Sequence, residues 1–315
     1  MYAFCIEASH PRGMGHLFRS IYFSRYLQRQ GEQTIFFINQ YKPSFKYLDD
    51  QKINYEIVSL DDVTSNWEKE LINRYSINTW INDRLDTDVA HARNVITEGA
   101  RLITFDDRGT GATYADIHVA GLLFDDPELL LGKKKLNGFK YIILNEEIAN
   151  YRHQRNDINR IVVSMGATDT HGATLKVIDI LRNSSKEITV IAGPGFQHLE
   201  KLQETIPDHF TLKKNVPSLI EEFAKYDMAI TGGGLTSFEA CASGLPCIII
   251  ANEHFEIPVG RLLESKGLCC FAGHHEKIKK EVFDLTIDIK QMSINGMQML
   301  DLDAGRRIYD EINKL

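Results

Sequence analysis

No stretch of this chain approaches the roughly 18 consecutive apolar residues of a membrane-spanning helix. Nor does it open with a basic segment, an apolar run and a small-residue cleavage site. Both absences predict a cytoplasmic protein with no stable membrane insertion. Basic residues are in deficit: 36 Lys and Arg against 43 Asp and Glu give a formal net charge of −7. That is the wrong sign for a nucleic-acid partner, which calls for a dominant basic face, although a nucleotide needs only a local pocket. Cysteine is sparse and unpatterned. Cys5, Cys241, Cys247, Cys269 and Cys270 form no C-x-x-C pair and no zinc-finger spacing, so they read as reduced, mostly buried thiols. What remains is an ordinary globular composition, 43% hydrophobic and 25% charged over 315 residues, enough for two domains.

The chain alternates strand-like and helix-like segments. Apolar runs at Ala3 to Ile6, Thr34 to Ile38, Tyr55 to Val58, Arg101 to Phe105, Ile117 to Ala120 and Tyr141 to Leu144 predict strands, with helical patterning at Ile21 to Leu27, Trp67 to Tyr75 and Val89 to Glu98. The pattern restarts at Arg160 to Met165 and continues through strands at Ile188 to Ala192, Phe210 to Leu212, Met228 to Thr231 and Pro246 to Ala251. Repeated β-α alternation predicts parallel sheets covered by helices. A polar stretch, Asn150 to Asn159, marks the expected hinge. The expected domains are therefore 1–150 and 151–315, with the final helix packing back on the first domain, as two Rossmann-like halves facing each other across a cleft.

Two strand-to-helix turns carry the chemistry. In Gly13-Met14-Gly15-His16-Leu17-Phe18-Arg19, two glycines let backbone approach a ligand, the helix start favours anionic groups, and a histidine there can act as a general base. In Thr231-Gly232-Gly233-Gly234-Leu235-Thr236-Ser237-Phe238-Glu239, bare glycines expose successive amides and the helix dipole adds positive charge. A pyrophosphate fits there without a metal or a lysine. The spacing is neither a Walker A loop nor G-x-G-x-x-G, which counts against a dehydrogenase. Glu239 suits ribose hydroxyls as well as it suits a helix start. Asp106 and Asp107 end a strand on the expected ligand side, and His254 follows another. Asp125-Asp126 and the Asp301-x-Asp303 pair supply too few oxygens for a magnesium cage and read as capping or solvated groups. His274-His275, ahead of a lysine-rich segment expected to be helical, read as solvated. No metal or cofactor is called for.

Taken in order, G-x-G-H-x-x-R, Asp106-Asp107, Ser164-Met165-Gly166-Ala167-Thr168-Asp169, Gly193-Pro194-Gly195, the triple-glycine loop with Glu239, Gly244-Leu245-Pro246 and Asp303-Ala304-Gly305-Arg306 resemble a known family over nearly the whole chain. That family is the UDP-sugar hydrolase of pseudaminic acid biosynthesis together with the spore-coat polysaccharide proteins. They are similar in turn to the N-acetylglucosaminyltransferase of peptidoglycan synthesis, a GT-B fold. The resemblance implies a nucleotide-sugar substrate. Gly233, Gly234, Thr236 and Ser237 would meet its phosphates with Leu235 and Gly195 alongside, Glu239 the ribose, and the backbone at Val216 the base. Gly13, Gly15 and His16 would face the sugar, with Arg19, Glu7, Asp106, Asp107, Thr168, Asp169, Asn252 and His254 on the substrate side. It also implies that His16 activates water for attack at the anomeric carbon with inversion. The same base would serve a sugar hydroxyl in a glycosyltransferase, which is the alternative. Three departures fall on the sugar side. Glu7 stands where the family has aspartate and the family's neighbouring arginine is absent. Gly166-Ala167-Thr168-Asp169 replaces Gly-Gly-Thr-Asp, and Asn252-Glu253-His254-Phe255 replaces an Asp/Asn-Asn-Gln loop.

Overall fold

The computed structural model describes residues 1–9, 14–121, 130–214, 216–284 and 287–315. It divides into two compact units, one of residues 1–143 and 302–315, the other of residues 144–301.

Unit 1 is a seven-stranded parallel sheet. Its strands are β1 (Tyr2–Ile6), β2 (Thr34–Ile38), β3 (Tyr55–Ile57), β4 (Thr79–Asp83), β5 (Arg101–Phe105), β6 (Ile117–Ala120) and β7 (Lys134–Asn137), in the order β3-β2-β1-β4-β5-β6-β7. The helices are α1 (Gly15–Arg29), α2 (Lys42–Asp50), α3 (Trp67–Tyr75) and α4 (Val89–Thr97). Every residue of β1 and β4 is buried, as central strands of a two-sided parallel sheet require. The final helix, α12 (Ala304–Ile312), belongs to this unit. Tyr309 donates to Glu32 at 3.0 Å, Arg307 to the Lys140 carbonyl at 2.9 Å, and Lys134 pairs with Glu311.

Unit 2 is a six-stranded parallel sheet of β8 (Arg160–Ser164), β9 (Glu187–Ala192), β10 (Thr211–Lys214), β11 (Met228–Gly232), β12 (Cys247–Ala251) and β13 (Cys269–His274), in the order β10-β9-β8-β11-β12-β13. Its helices are α5 (Ile148–Tyr151), α6 (Ala173–Leu181), α7 (Leu199–Thr205), α8 (Leu219–Phe223), α9 (Leu235–Ala242), α10 (Glu256–Ser265) and α11 (Ile289–Met299). Arg155, from the expected hinge stretch, is buried and donates to the carbonyls of Ser243, Phe223 and Tyr226. Among the described residues no helix is long and apolar enough to cross a membrane.

Two expectations from the sequence need correction. The apolar run Tyr141 to Leu144 is not a strand. The β6 edge is already taken by Lys134–Asn137, paired from Ile117↔Lys134 to Ala120↔Asn137, so Ile142, Ile143 and Leu144 are buried in irregular chain after a 3₁₀ turn at Phe139–Tyr141. The segment after His274-His275 is not an α-helix but a short 3₁₀ turn at Lys280–Asp284, and His274 ends β13. The Asp125-Asp126 pair lies outside the described residues.

Candidate active site

In each unit the strand order reverses once, between β1 and β4 and between β8 and β11. Loops leaving the carboxyl ends of such neighbours run in opposite directions and open a crevice.

In unit 1 that point joins the start of α1 to the end of β4. His16, Arg19 and Ser20 lie three and four positions apart on one face of the helix and converge on Asp83. His16 Nδ1 is 2.7 Å from Asp83 Oδ1, Arg19 Nε donates to Asp83 Oδ2 at 3.0 Å, and Ser20 Oγ donates to the same oxygen at 2.9 Å. Arg19 also pairs with Asp106 and lies 5.2 Å from the centre of the Phe105 ring. His16, Arg19, Asp83 and Asp106 are all buried. Burial pushes the Asp83 carboxyl up, but the Arg19 guanidinium and the His16 imidazole outweigh it and hold it down at about 2. Burial works against the Arg19 charge, and Asp83 and Asp106 more than restore it, so its pKa is raised. An ionised carboxylate has no proton to give. At 2.7 Å from it, Nδ1 must therefore carry the hydrogen, and in the neutral ring Nε2 keeps the lone pair. Asp106 takes a left-handed backbone conformation, φ 48°, a strained geometry for a residue with a Cβ.

The other residues expected on the substrate side of unit 1 are placed differently. Asp107 accepts from the Thr87 amide at 3.0 Å, the Gly109 amide at 2.8 Å and the Thr87 hydroxyl, which ties the β5 turn to the loop before α4. Burial raises its carboxyl to about 6. Glu7 lines an open depression of about 410 Å³ with Asn39, Gln40 and residues 57–61, at the carboxyl ends of β1, β2 and β3. Gly15 begins α1, and Gly13 lies outside the described residues.

In unit 2 the crevice is lined by glycine turns. A Cβ on Gly166 would sit 3.8 Å from Thr236 Oγ1, so the turns after β8 and β11 are neighbours. A Cβ on Gly193 would fall 2.6 Å from the carbonyls of Gly166 and Ala167, and Gly195 donates to the Ala167 carbonyl at 2.9 Å. Gly234, Leu235 and Thr236 are half-buried, whereas Gly233, Ser237 and Glu239 are buried. Ser237 Oγ donates to the Gly234 carbonyl at 2.8 Å, which closes the first turn of α9. Val216 is half-buried in the loop after β10. Asp169, buried like Thr168 and at φ 44°, caps α6: its oxygens accept from the Ala173 amide at 2.8 Å and the Thr174 amide at 3.0 Å.

Glu256, which sequence reasoning passed over, supports the glycine loop. Its carboxylate accepts from the Asn252 amide at 2.7 Å, and a Cβ on Gly233 would meet its Cβ at 2.8 Å. Burial pushes this carboxyl up to about 7, against the backbone N–H groups of Asn252, Glu253 and Gly233. Asn252 itself packs on Gly232, where a Cβ would lie 2.7 Å from its Nδ2. His254, exposed in the same turn, stacks on His274 at 4.4 Å.

No family profile matches the chain. An uncharacterized protein of Methanocaldococcus jannaschii is 25% identical over 278 residues, 81% of this chain and 56% of that protein, so the chain spans little more than half of that relative. The spore coat polysaccharide biosynthesis protein SpsG of Bacillus subtilis is 21% identical over 323 positions, 96% of this chain and 92% of that protein. Among solved structures, MurG of Acinetobacter baumannii superposes with a TM-score of 0.70 at 14% identity, covering 100% of this chain and 99% of MurG. Spinosyn rhamnosyltransferase SpnG complexed with thymidine diphosphate gives 0.67 at 12%, covering 98% and 100%. HepE of Anabaena in complex with UDP gives 0.67 at 11%, covering 100% of both chains. At these identities the likeness is one of fold: the chain has two Rossmann-like α/β units of the GT-B glycosyltransferase architecture.

Proposed function

We propose that the protein is a nucleotide-sugar-dependent glycosyl-transferring enzyme in which unit 2 holds the nucleoside diphosphate and His16 of unit 1 is the general base. The observation that carries this reading is the buried His16–Asp83 pair, 2.7 Å apart, at the point where the strand order of unit 1 reverses. Support for the donor class comes from fold neighbours captured with thymidine diphosphate and with UDP. A polysaccharide context is supported by the likeness to SpsG.

In this mechanism Asp83 fixes the Nδ1–H tautomer of His16, so that Nε2 accepts the proton of the attacking hydroxyl. The acceptor oxygen bonds to the anomeric carbon from the face opposite the leaving group, and that carbon inverts. The bond to the diphosphate oxygen breaks and its electron pair leaves with the nucleoside diphosphate. The amides from Gly233 to Thr236 and the Thr236 hydroxyl hold the departing charge. The formal charges of Arg19, Asp83 and Asp106 sum to one negative charge beside His16.

The test has two steps. UDP- and dTDP-sugars are incubated with the protein first without and then with sugar acceptors, and nucleotide release and free sugar are followed by NMR. Free sugar without an acceptor identifies water as the attacking group and makes the enzyme a hydrolase. Turnover only with an acceptor identifies a transferase. In either case His16→Ala is expected to abolish turnover while UDP still binds, and turnover that survives this substitution removes His16 from the mechanism.

A further inference from the structure

We infer a binding site for a divalent transition-metal ion of the zinc class at the carboxyl edge of the unit 2 sheet, formed by His254, His274 and Glu276. The sheet itself assembles it. His254 lies in the turn after β12, His274 is the last residue of β13, and Glu276 follows in the next turn. β12 and β13 are hydrogen-bonded neighbours, with Ala251 opposite His274, so the ligands hang from adjoining strand ends.

One donor atom from each of the three residues lies within 4.8 Å of the other two. His274 Nδ1 and Glu276 Oε2 are 3.4 Å apart. Two ligands bonded at about 2.0–2.1 Å with a tetrahedral angle stand about 3.3 Å apart, so this edge is nearly formed. The third ligand needs a rotation. The His254 and His274 rings are stacked, 4.4 Å apart with 8° between their planes, and His254 is exposed and can swing its lone pair inward. Two imidazoles and a carboxylate suit zinc and its neighbours in the first transition row, whereas calcium and magnesium prefer oxygen donors throughout.

The surroundings hold His274 in place. His275 packs on it at 4.2 Å and stacks on His171 at 4.1 Å, and His171 Nε2 is 3.0 Å from Glu253 Oε1. An ion bonded to both His254 and His274 would fasten the β12 turn to the end of β13. The same turn carries Asn252 and leads into Glu256 at the start of α10, and these two pack on Gly232 and Gly233. The bound ion would therefore stiffen the support of the glycine loop without touching a nucleotide.

Direct binding tests this apart from any activity. The untagged full-length protein, stripped with a chelator, is titrated with Zn²⁺ by calorimetry and with Co²⁺ by visible absorption. One equivalent is expected to bind, with the Co²⁺ bands of a four-coordinate site. Losing a metal-bonded group costs more than the roughly 10–100-fold seen when an outer hydrogen-bonding partner is removed. His254→Ala and His274→Ala are each expected to weaken binding by at least that much, and Glu276→Gln to weaken it and shift the Co²⁺ spectrum. His254 is exposed, so its substitution leaves the fold intact and a loss of binding there reports the site. No binding by the stripped protein, or binding unchanged in His254→Ala, overturns the proposal. So does binding that disappears only in His171→Ala.

Discussion

Replacing Asp83 with asparagine separates the electrostatic part of its role from its shape. The Asp83 carboxyl titrates at about 2 in the folded protein against an ordinary 3.8. Each unit of difference is worth about 1.4 kcal/mol, so the depressed carboxyl contributes about 2 kcal/mol to folding. The unfolded chain binds the proton more readily than the folded one. The contribution is therefore complete well above pH 4 and drains away as pH falls through 4 towards 2, with about half gone by pH 3. Asparagine has no such titration. At neutral pH the variant also leaves the buried Arg19 with Asp106 alone of its two carboxylates. Removing one partner of a buried pair typically costs about 3–5 kcal/mol, and the surviving pair brings the expected loss to about 2–3 kcal/mol. Both tryptophans of the chain, Trp67 and Trp80, lie in unit 1 with Asp83. Tryptophan fluorescence in urea therefore reads the stability of that unit even if the two units unfold separately. The stability gap between wild type and Asp83→Asn should narrow by about 1 kcal/mol between pH 5 and pH 3. A gap that stays constant over that range refutes the claim that Asp83 is a strongly stabilised carboxylate. In turnover, the new amide can donate to His16 Nδ1 and force the tautomer whose Nε2 carries hydrogen. The corresponding change in serine-protease triads lowers kcat by about 10⁴. A similar fall is expected here with UDP affinity unchanged, and a fall of less than tenfold shows that the tautomer is not what Asp83 controls.

Asp107 gives a slope of the opposite sign. Its folded carboxyl titrates at about 6 against 3.8, so the folded state holds the proton more tightly and stability falls as pH rises from about 4 to about 7, by at most about 3 kcal/mol. Asp107→Asn should flatten that slope in the same fluorescence assay, and parallel curves for the two proteins would show the burial penalty to be absent. In unit 2, Gly233→Ala puts a Cβ 2.8 Å from the Glu256 Cβ and 3.1 Å from its Oε2, which displaces the support of the glycine loop. UDP affinity measured by calorimetry should fall by about tenfold or more, while unit 1 unfolding stays unchanged. Unaltered affinity would mean that the loop does not carry the diphosphate.

The sequence announces His16 and Arg19 at the start of a helix and conceals Asp83 at the end of a central strand. His16 and Arg19 stand out because a glycine turn precedes them. Asp83, their partner, does not, because its strand reads Thr-Trp-Ile-Asn-Asp, neither a continuous apolar run nor a regular alternation. All five residues are nevertheless buried, and the polar ones are matched inside the sheet. Asn82 Oδ1 accepts from Trp80 Nε1 at 2.8 Å and lies 3.0 Å from His91 Nε2, and Asn82 Nδ2 donates to Thr87 at 3.0 Å. A hydrophobicity pattern registers exposure to water, and these side chains avoid water by pairing with each other. A signal was present all the same. Two helical segments, Trp67–Tyr75 and Val89–Thr97, follow one another without an apolar run between them, which breaks the β-α alternation in that part of the chain. Parallel neighbours need a crossover between them, so the gap itself calls for a strand near residues 79–83. β13 is a different case: Cys269 to Ala272 is an apolar run that reads as a strand, and only its Gly-His end, with the histidine that the inferred metal site uses, is polar. In both units, then, the chemically important side chains sit at carboxyl ends of strands whose last residues are polar. The polarity that suits those residues for catalysis or ligand binding also blurs the ends of their strands in a reading based on apolar runs, and in β4 it hides the strand altogether.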